Sequence, residues 1–411
     1  MKNFKVNSDR LWESLMEMAK IGETEKGGVC RLALTDVDKK ARDLFVQWCE
    51  SSGCKVTVDE MGNIFGRREG KNSNLAPVMT GSHIDSQPTG GKFDGIYGVL
   101  AGLEVIRTLN DMNIETERSI EVSAWTNEEG SRFAPAMIAS GVFGGIFDLE
   151  YGLSREDSEG NSIGDELKRI GYAGPEKCGG REISAFFEAH IEQGPILESE
   201  EKTIGVVQGV QGMRWYDIEV TGMESHAGTT PMDRRKDAIV CASRMVEALD
   251  KLGNDNKPDA RTTCGVFEIS PGSRNVIPGH VSFTADIRHP DSEILADLGI
   301  KYKDTCKKIA EEMGIELKFD EIWYSPPVKF DSACVNAVEG AANSLGMKNR
   351  PITSGAGHDA VYISNVAPAG MIFIPCEDGI SHNEIEAATK EDIAAGCDVL
   401  LNAMLERANS I

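Results

Sequence analysis

Three consecutive stretches decide the fold: "APVMTGSHIDS" at residues 76–86, "GIYGVLAGLEVIRTLNDM" at 95–112 and "SIEVSAWTNEE" at 119–129. The first and the third contain short apolar runs that are typical of buried strands, and the middle stretch has the length and periodicity of a helix. Small residues recur at close spacing along that helix, which suits packing against a sheet. A strand, a helix and a strand in this order predict two parallel strands joined by a helical crossover.

Binding and catalytic groups collect at the carboxyl ends of the strands in open α/β sheets. His83 lies at the end of the first predicted strand, and Glu128 and Glu129 lie side by side at the end of the second. Two adjacent glutamates are most often a solvated turn. Their place at a strand end favours a different interpretation, in which one carboxylate binds a metal ion and its neighbour transfers a proton.

The larger of two predicted domains is formed from elements on both sides of an insert. Outside the three stretches quoted above, these elements are a helix at 34–52, a hairpin that turns at Gly62-Asn63, a helix at 331–345, a strand at 369–375 and a helix at 390–409. Strands that alternate with helices indicate an α/β domain, here with a mixed, mostly parallel central sheet. An amphipathic helix is also expected within the first 20 residues.

The insert has a different pattern. Its predicted elements, in chain order, are a strand at 214–222, a helix at 233–252, strands at 261–271 and 280–289, a helix at 292–314 and a strand at 315–323. The order β-α-β-β-α-β is the split arrangement of a ferredoxin-like domain. We therefore predict that residues 213–327 form an inserted α+β domain, and that residues 1–212 and 328–411 form the catalytic domain.

The composition restricts the function. The chain of 411 residues carries a formal net charge of −23, so its surface repels phosphate backbones and nucleic acid is not an expected partner. No run approaches the roughly 20 apolar residues of a membrane span, and the N-terminal segment lacks the apolar core of a secretion signal. The ten cysteines contain no C-x-x-C pair and indicate reduced thiols, so we expect a cytoplasmic protein with no membrane partner.

Histidines and acidic residues at other predicted strand ends complete a candidate metal centre. His190 lies in "FEAHIEQGPILE", His382 lies in "CEDGISHNE", and Asp94 lies in a glycine-rich loop after His83. An aspartate before a helix is commonly an N-cap, but as a bridging carboxylate Asp94 gives one oxygen to each of two ions. One ion would take His83, Asp94 and His190, and the other would take Asp94, Glu129 and His382. Each ion keeps an open position, as catalytic zinc requires.

This ligand set also assigns a general base. Two metal ions lower the pKa of a bridging water towards about 7 and polarise a carbonyl group. Glu128 is adjacent to a ligand without being one, so it can accept the proton of that water. Asp85 is expected to accept the imidazole N–H of His83 that faces away from the metal. Each of these motifs is weak alone, and their joint occurrence at strand ends carries the prediction.

Five stretches resemble one known group of enzymes: "GSHIDS…GGKFDG", "TNEEGSRF", "HIEQGPILE", "SHAGTTPMDRRKDA" and "SGAGHDA". They are similar to the N-carbamoyl-L-amino acid hydrolases, β-ureidopropionases and allantoate amidohydrolases, which are dimetal amidases of the zinc exopeptidase superfamily. The resemblance covers nearly the whole chain. It implies a zinc-peptidase-like catalytic domain and two divalent ions per subunit, of zinc, manganese, cobalt or nickel. It also implies an inserted lid domain through which a homodimer forms, and hydrolysis of a ureido C–N bond with release of ammonia and carbon dioxide.

The resemblance assigns further residues outside the metal centre. Asn275 in "GSRNVIPG" and Arg288 in "ADIRHP" match positions that hold the substrate carboxylate, and an arginine fork binds a carboxylate well. Without the resemblance, an arginine on a strand would be interpreted as one partner of a surface ion pair. His226 in "SHAGTT" matches a histidine that stabilises the tetrahedral oxyanion, and it is expected to act on the active site of the other subunit. Gly357 matches a backbone contact to substrate, and Gln193 is a candidate support for the metal ligands.

Several alternatives stay open at this point. Trp215 beside Arg214 favours an N-carbamoyl amino acid or N-carbamoyl-β-alanine as substrate, with allantoate as the alternative. A peptidase or aminoacylase, and a non-catalytic binding protein on the same fold, are further alternatives. Loss of a ligand or of the base would favour the last of these, and none is lost. His358 and Asp359, in the loop of Gly357, can be structural or functional.

Overall fold

The computed structural model describes residues 3–410, which form two compact units. One unit comprises the chain up to Gln208 together with the chain from Phe330 onward, and the other comprises Gly209–Lys329. Within residues 3–410, no helix combines the length and the apolar character needed to cross a bilayer.

The strands and helices are numbered in chain order. The strands are β1 (Lys55–Val58), β2 (Ile64–Arg68), β3 (Val78–His83), β4 (Ile120–Trp125), β5 (Ala185–Ile191), β6 (Ile204–Val210), β7 (Gly212–Thr221), β8 (Ser225–His226), β9 (Arg261–Thr263), β10 (Phe267–Ser270), β11 (Val276–Ile277), β12 (His280–His289), β13 (Glu316–Ser325), β14 (Val328–Lys329), β15 (Asn349–Ser354) and β16 (Ala369–Ile374). The α-helices are α1 (Ser8–Ala19), α2 (Asp36–Ser51), α3 (Ile96–Asp111), α4 (Ile138–Phe143), α5 (Leu149–Leu153), α6 (Ile163–Ile170), α7 (Ile196–Ser199), α8 (Ala238–Asp255), α9 (Ser292–Met313), α10 (Ser332–Ser344), α11 (Asp359–Ile363) and α12 (Lys390–Asn409).

The first unit is built on a mixed sheet. Its strands follow the path β1-β2-β4-β3-β5-β16-β6, and β15 also pairs with β6. The central pairs β4/β3, β3/β5 and β5/β16 are parallel, whereas β1/β2, β2/β4 and β16/β6 are antiparallel. The predicted α/β fold with a mixed sheet is therefore confirmed. Parallel pairing is confined to the centre rather than dominant, because a hairpin lies at one edge and the reversed strand β6 follows β16 at the other.

The crossover predicted from the first three stretches is β3-α3-β4. The helix α3 lies directly on the strands because two of its residues have no side chain. A Cβ atom on Gly98 would lie 2.4 Å from the carbonyl oxygen of Ala189, and one on Gly102 would lie 2.7 Å from the side chain of Thr80. Any larger residue at these positions would have to push the helix away from the sheet. The small-residue spacing in the sequence thus reflects helix–sheet contact.

The helix α2 carries a buried ion pair that ties three segments together. The Nε of Arg42 lies 2.7 Å from Oδ2 of Asp38, and neither side chain is more than 1% exposed. Arg42 also donates to the carbonyl oxygen of Gly62 at 2.8 Å and to Oγ1 of Thr126 at 3.2 Å. The Asp38 carboxylate accepts the backbone N–H of Leu34. These contacts fix α2 against the β1–β2 turn and the end of β4.

The second unit contains an antiparallel sheet with the order β10-β12-β7-β13, and β9 also pairs with β12. Every second residue of β12 is buried, which is the pattern of a sheet with one covered face. The buried side chains of β7 and β12 form one core with those of α8 and α9. In chain order, the elements of this sheet and its covering helices are β7, α8, β9, β10, β12, α9 and β13.

Two element predictions in this unit are wrong. The helix expected from residue 233 begins at Ala238, because the side chain of Asp237 accepts the N–H groups of Ile239 and Val240 and caps it there. The single strand expected at 261–271 is the two strands β9 and β10. Between them the N–H of Val266 donates to the hydroxyl of Thr284 instead of to a backbone carbonyl, which interrupts the ladder.

Other predicted elements are confirmed to within two residues, including α2, α10, β16 and α12. The short helices α4, α5 and α6 were not predicted. Helices of five to eight residues complete only one or two turns, so they leave too few apolar positions for a periodic pattern.

The ion pairs on α2 generate a stability prediction. Replacing Arg42 by methionine leaves the Asp38 carboxylate buried without its charged partner, and we expect it to lower the free energy of unfolding by about 3–5 kcal/mol. The matched control is Lys39→Met, which removes an exposed pair with Asp43 of the same spacing on the same helix. It should cost about 0–1 kcal/mol. Urea denaturation of both variants measures the difference, and equal losses would contradict the buried role.

Candidate functional site

The predicted metal ligands of the first unit lie together at the carboxyl ends of the parallel strands. His83 ends β3, His190 lies near the end of β5, Glu129 follows β4, His382 follows β16, and Asp94 precedes α3. The ligand atoms of His83, Asp94 and His190 lie within 4.8 Å of one another, and so do those of Asp94, Glu129 and His382. Asp94 is common to both groups. Each of these groups could hold a metal ion.

The two oxygens of Asp94 face different sides of the cluster. Its Oδ1 lies 3.1 Å from Nε2 of His190 and 3.7 Å from Nε2 of His83. Its Oδ2 lies 3.5 Å from Nε2 of His382. Burial alone would raise the pKa of this carboxyl, but the imidazoles, with His190 foremost, hold the pKa of Asp94 well below its usual value. This is the arrangement expected of a bridging carboxylate.

Hydrogen bonds fix the orientation of the two buried imidazoles. Nδ1 of His83 lies 2.9 Å from the carbonyl oxygen of Asp85, and Nδ1 of His190 lies 2.9 Å from that of Ile191. A carbonyl oxygen can only accept, so each Nδ1 carries a hydrogen and Nε2 faces the cluster. Burial opposes a charge on His190, but the Asp94 carboxylate raises its pKa to about 9, so Nε2 of His190 becomes available as a ligand when a cation replaces its proton. Burial lowers the pKa of His83 to about 4, which keeps the ring neutral at neutral pH. A neutral Nε2 is the form that ligates metals.

Asp85 has a different role from the predicted one. Its carboxylate lies 4.0 Å from Nδ1 of His83, which is too far for a hydrogen bond, and its backbone carbonyl accepts instead. The carboxylate accepts the backbone N–H groups of Glu128 and Glu129, each at 3.2 Å. The predicted carboxylate–imidazole contact is therefore wrong. With only one residue between them, the chain turns its own carbonyl towards the ring and leaves the carboxylate to hold the glutamate pair.

Glu128 and Glu129 point to different imidazoles. Oε2 of Glu128 lies 3.4 Å from Nε2 of His83, and Oε2 of Glu129 lies 3.4 Å from Nε2 of His382. The Glu129 carboxylate also accepts two hydrogen bonds from Gln87. Burial and neighbouring carboxylates raise the pKa of both glutamates, that of Glu129 to about 9. Carboxylates buried this close together favour a bound cation, because a cation offsets both their desolvation and their repulsion.

Glu386 is a supporting residue that the sequence analysis missed. Its Oε1 accepts the N–H groups of Phe93 and Asp94 at 3.0 and 3.1 Å. Its Oε2 lies 3.0 Å from the hydroxyl of Ser381, which is also 3.0 Å from Oδ2 of Asp94. Burial raises the pKa of Glu386 to about 7. In the sequence Glu386 comes two residues after Glu384 in a polar loop, and no periodicity or spacing distinguishes the buried glutamate from Glu384.

The remaining candidates of the first unit lie around this cluster. Gln193 donates to Oδ2 of Asp94 at 3.0 Å, so it contacts a proposed ligand directly. The ring of His358 packs edge-on against His190 with centroids 4.6 Å apart, and its Nε2 lies 3.0 Å from the hydroxyl of Ser354. A Cβ atom on Gly357 would lie 2.8 Å from Cε of Met137, so this position also restricts side-chain size.

Asp359 is fully buried at the start of α11. Burial and nearby carboxylates, with Glu188 first among them, raise its pKa well above the usual value. Asp359 is in turn the carboxyl that contributes most, after burial, to the raised pKa of Glu128. The negative charge of Asp359 therefore affects the pKa of Glu128, the predicted base.

His226 and Asn275 lie together in the second unit. The short strands β8 and β11 pair with His226 opposite Val276, and the N–H of Ala227 donates to the carbonyl oxygen of Asn275 at 2.9 Å. Nδ1 of His226 accepts the N–H of Gly228 at 3.0 Å, so the hydrogen of the neutral ring is on Nε2. The exposed side chain therefore caps its own loop and also presents an N–H donor. Capping the loop through Nδ1 therefore leaves Nε2 able to donate a hydrogen bond to another group.

Arg288 pairs within its own strand. Its Nη2 lies 2.8 Å from Oδ2 of Asp286, and its Nε lies 3.1 Å from Oδ1 of the same residue. This is the ion pair on a strand that the sequence analysis gave as the alternative role of Arg288. A substrate carboxylate at this position would compete with Asp286 for the guanidinium. Arg214 on β7, next to Trp215, also has an acidic partner, which is Glu321 on the neighbouring strand β13.

Comparisons with known proteins give a consistent result. The chain is 50% identical over 410 residues to an N-carbamoyl-L-amino-acid amidohydrolase of Rhizobium meliloti, covering 100% of this chain and 99% of the relative. It is 34% identical to an allantoate amidohydrolase of Bacillus subtilis, covering 95% of each. A crystal structure of an amidase of the hydantoinase/carbamoylase family from Burkholderia multivorans has 62% identity and a TM-score of 0.96, covering 99% of both chains.

The family comparison matches most of the first unit and all of the second. The matching family is described as peptidase family M20/M25/M40, and its model covers residues 79–406. That range begins in β3 and includes every residue of the two ligand groups. The chain therefore belongs to peptidase family M20/M25/M40.

Proposed function

We propose that the protein is a metal-dependent amidohydrolase that cleaves the ureido C–N bond of an N-carbamoyl-L-amino acid and releases ammonia and carbon dioxide. The observation that carries this proposal is a shared carboxylate, Asp94, between two ligand groups, with Glu128 beside them and outside both. The relative at 50% identity is named for this activity. Relatives named for ureidoglycolate and allantoate hydrolysis are 35% and 34% identical, so these substrates rank behind N-carbamoyl amino acids.

Two divalent ions fit the residues that the first unit supplies. His83, Asp94 and His190 would hold one ion, and Asp94, Glu129 and His382 would hold the other. Neutral imidazole nitrogens and carboxylates suit zinc, manganese, cobalt and nickel. Ions bound there would act as Lewis acids on the substrate carbonyl and on a water nucleophile.

Glu128 is the proposed general base. Its backbone N–H is held by Asp85, and its carboxylate is directed at the side of the cluster where His83 lies. Cations bound beside it would keep this buried carboxylate ionised, so that it can accept the proton of the attacking water and then deliver it to the leaving nitrogen.

The second unit is proposed to bind the substrate and to act as the lid and dimerisation domain at 213–327, inserted into a catalytic domain at 1–212 and 328–411. The Nε2–H of His226 would stabilise the oxyanion in the partner subunit of a cytoplasmic homodimer. Asn275 and Arg288 would hold the substrate carboxylate, and Gly357 would contact the substrate through its backbone. Exposed apolar residues along both edge strands, among them Ile269 on β10 and Trp323 on β13, support a pairing role for this sheet.

A substrate panel tests the function. Metal-reconstituted protein should hydrolyse N-carbamoyl-L-amino acids with a kcat/KM at least about tenfold above that for allantoate, a difference of about 1.4 kcal/mol in transition-state binding. Ammonia release is measured for N-carbamoyl-L-amino acids, N-carbamoyl-β-alanine, allantoate, an N-acetyl amino acid and a dipeptide. Preference for the N-acetyl amino acid or the dipeptide would replace the proposal by an acylase or a peptidase.

The adjacent glutamates should respond differently to the same change. Glu128→Gln is expected to keep its metal and lower kcat by about 10²–10⁴-fold, because it removes the general base. Glu129→Gln should lower the metal content of the purified protein, because it removes a ligand oxygen. Metal analysis and steady-state kinetics of both variants separate the two roles. The reverse pattern would exchange the assignments of the two residues.

Glu386 should affect metal affinity without being a ligand. An amide at this position cannot accept at both of its ends, so the loop of Asp94 or the hydroxyl of Ser381 loses an acceptor. We expect Glu386→Gln to weaken metal binding by about 10–100-fold, as outer contacts to metal ligands typically do. Glu384→Gln in the same loop is the control. Competition with a chelating dye measures affinity, and equal affinities in the two variants would remove this role.

Mixed dimers test the assignment of His226 to the partner's site. Loss of an oxyanion donor costs about 10²–10³-fold in kcat, and loss of the base is at least as severe, so His226→Ala and Glu128→Gln homodimers should be nearly inactive. A dimer with one chain of each kind should regain one working site, because the intact Glu128 of one chain meets the intact His226 of the other. Verified mixed dimers without recovered activity would contradict action in trans.

A further inference from the structure

Two of the cysteines lie together at the carboxyl end of α2, away from the metal ligands in the sequence. All ten cysteines of the chain fall within the described residues and are free thiols. After α2, Gly53 has a φ of 78°, the left-handed conformation that glycine adopts without strain. The N–H of Gly53 donates to the carbonyl oxygen of Glu50 at 2.9 Å, and that of Cys54 donates to the carbonyl oxygen of Cys49 at 3.0 Å. This pair of bonds is a Schellman motif.

The motif places the two cysteines at the ends of a closed six-residue turn. A direct backbone bond between Cys49 and Cys54 keeps their Cα atoms near the roughly 4.4–6.8 Å separation that a disulfide requires. Cys49 and Cys54 occupy the C3 and C″ positions of the motif, whose side chains commonly contact each other. A disulfide between them would therefore require rotation of side chains and little movement of the backbone.

The surroundings make the two sulfurs unequal. The neighbouring thiol of Cys49, followed by the positive charges of Arg68 and Arg107, lowers the pKa of the Cys54 thiol. The neighbouring thiol of Cys54, with burial, raises the pKa of Cys49. Thiolates are the reactive form of cysteine, and arginine neighbours are a usual cause of thiolate formation. Cys54 is 8% exposed and Cys49 is fully buried, so Cys54 is also the more accessible of the two and is placed to react first.

A small oxidant can approach this end of the helix. Cys54 is 8% exposed and lies between the exposed residues Gly53 and Lys55. A surface cavity of about 460 Å³ lies beside the end of α2, and Ser52 and Arg107 contribute to its lining. Arg107 donates to the hydroxyl of Ser52 at 3.3 Å, so the charged wall of the cavity is attached to the turn itself.

We propose that Cys49 and Cys54 are a redox modification site that a peroxide converts into a disulfide. The sulfur of Cys54 attacks one oxygen of hydrogen peroxide, the O–O bond breaks, and Cys54 sulfenic acid and one water are formed. The sulfur of Cys49 then attacks the sulfur of Cys54, the S–O bond breaks, and a second water leaves. Two thiols lose two hydrogen atoms in total, and one peroxide is reduced to two waters. A low-molecular-weight dithiol reverses the modification.

The sequence offers a direct readout. Cleavage after Arg42 and Lys55 releases one tryptic peptide, 43–55, that contains both cysteines and no others. The native full-length protein is treated with hydrogen peroxide, remaining thiols are alkylated, and the peptide is weighed by mass spectrometry. We expect it to be lighter than the reduced peptide by two hydrogen atoms and to carry no alkyl group. Treatment with dithiothreitol before alkylation should restore two alkylated cysteines.

Two variants assign the order of reaction. In Cys49→Ser, Cys54 should accumulate as sulfenic acid and be trapped by a 1,3-dione. In Cys54→Ser, trapping at Cys49 should be at least about tenfold slower, because its thiolate is disfavoured. The half-buried Cys30 serves as the reference thiol in every sample. Full alkylation of peptide 43–55 after peroxide, a link formed only in urea, or equal trapping in the two variants would overturn the proposal.

Discussion

The carboxylate of Asp94 faces imidazoles on both sides, and several separate features of the first unit hold it there. The residue after it, Gly95, has a φ of 68°, and a Cβ atom at that position would lie 2.2 Å from the ring of His83. The helix α3 that follows rests on the sheet through glycines, which fixes the height of the loop above the strands. Glu386 accepts the backbone N–H of Asp94. Backbone conformation, helix packing and a buried carboxylate therefore act on one position.

The same arrangement places several carboxylates together in a buried region, where their negative charges are poorly solvated. Glu128, Glu129 and Asp94 share a buried region with Asp85 and Asp359, and burial is the first cause of the raised pKa values there. Among the described side chains of the two ligand groups, the histidines are the residues that can offset the negative charge of the carboxylates. A cluster of this kind costs folding free energy unless cations bind, so stability and ion binding are expected to be linked.

The sequence allowed prediction of the parts of the site that follow strand ends. His83 ends the buried strand β3 and Glu129 lies in the segment that follows β4, and parallel strands bring such residues to one edge of the sheet. Glu386 had no such signal, because it lies in a polar loop and its burial depends on contacts with residues nearly 300 positions earlier in the chain. The role of Asp85 was misassigned for a local reason: a spacing of two residues does not distinguish a side-chain contact from a backbone contact. The start of α8 was misplaced because two acidic residues, Asp233 and Asp237, both suit a helix cap.

The glycines of α3 have a consequence for how this unit tolerates substitution far from its ligands. Gly98 and Gly102 bear no functional group, yet each occupies a point where the helix and the sheet are in contact through backbone or through the base of a side chain. Substitution there displaces the helix, and with it the loop that carries the shared carboxylate. Two positions without chemistry of their own thus determine where the shared carboxylate lies, because the distance between helix and sheet depends on the absence of side chains there.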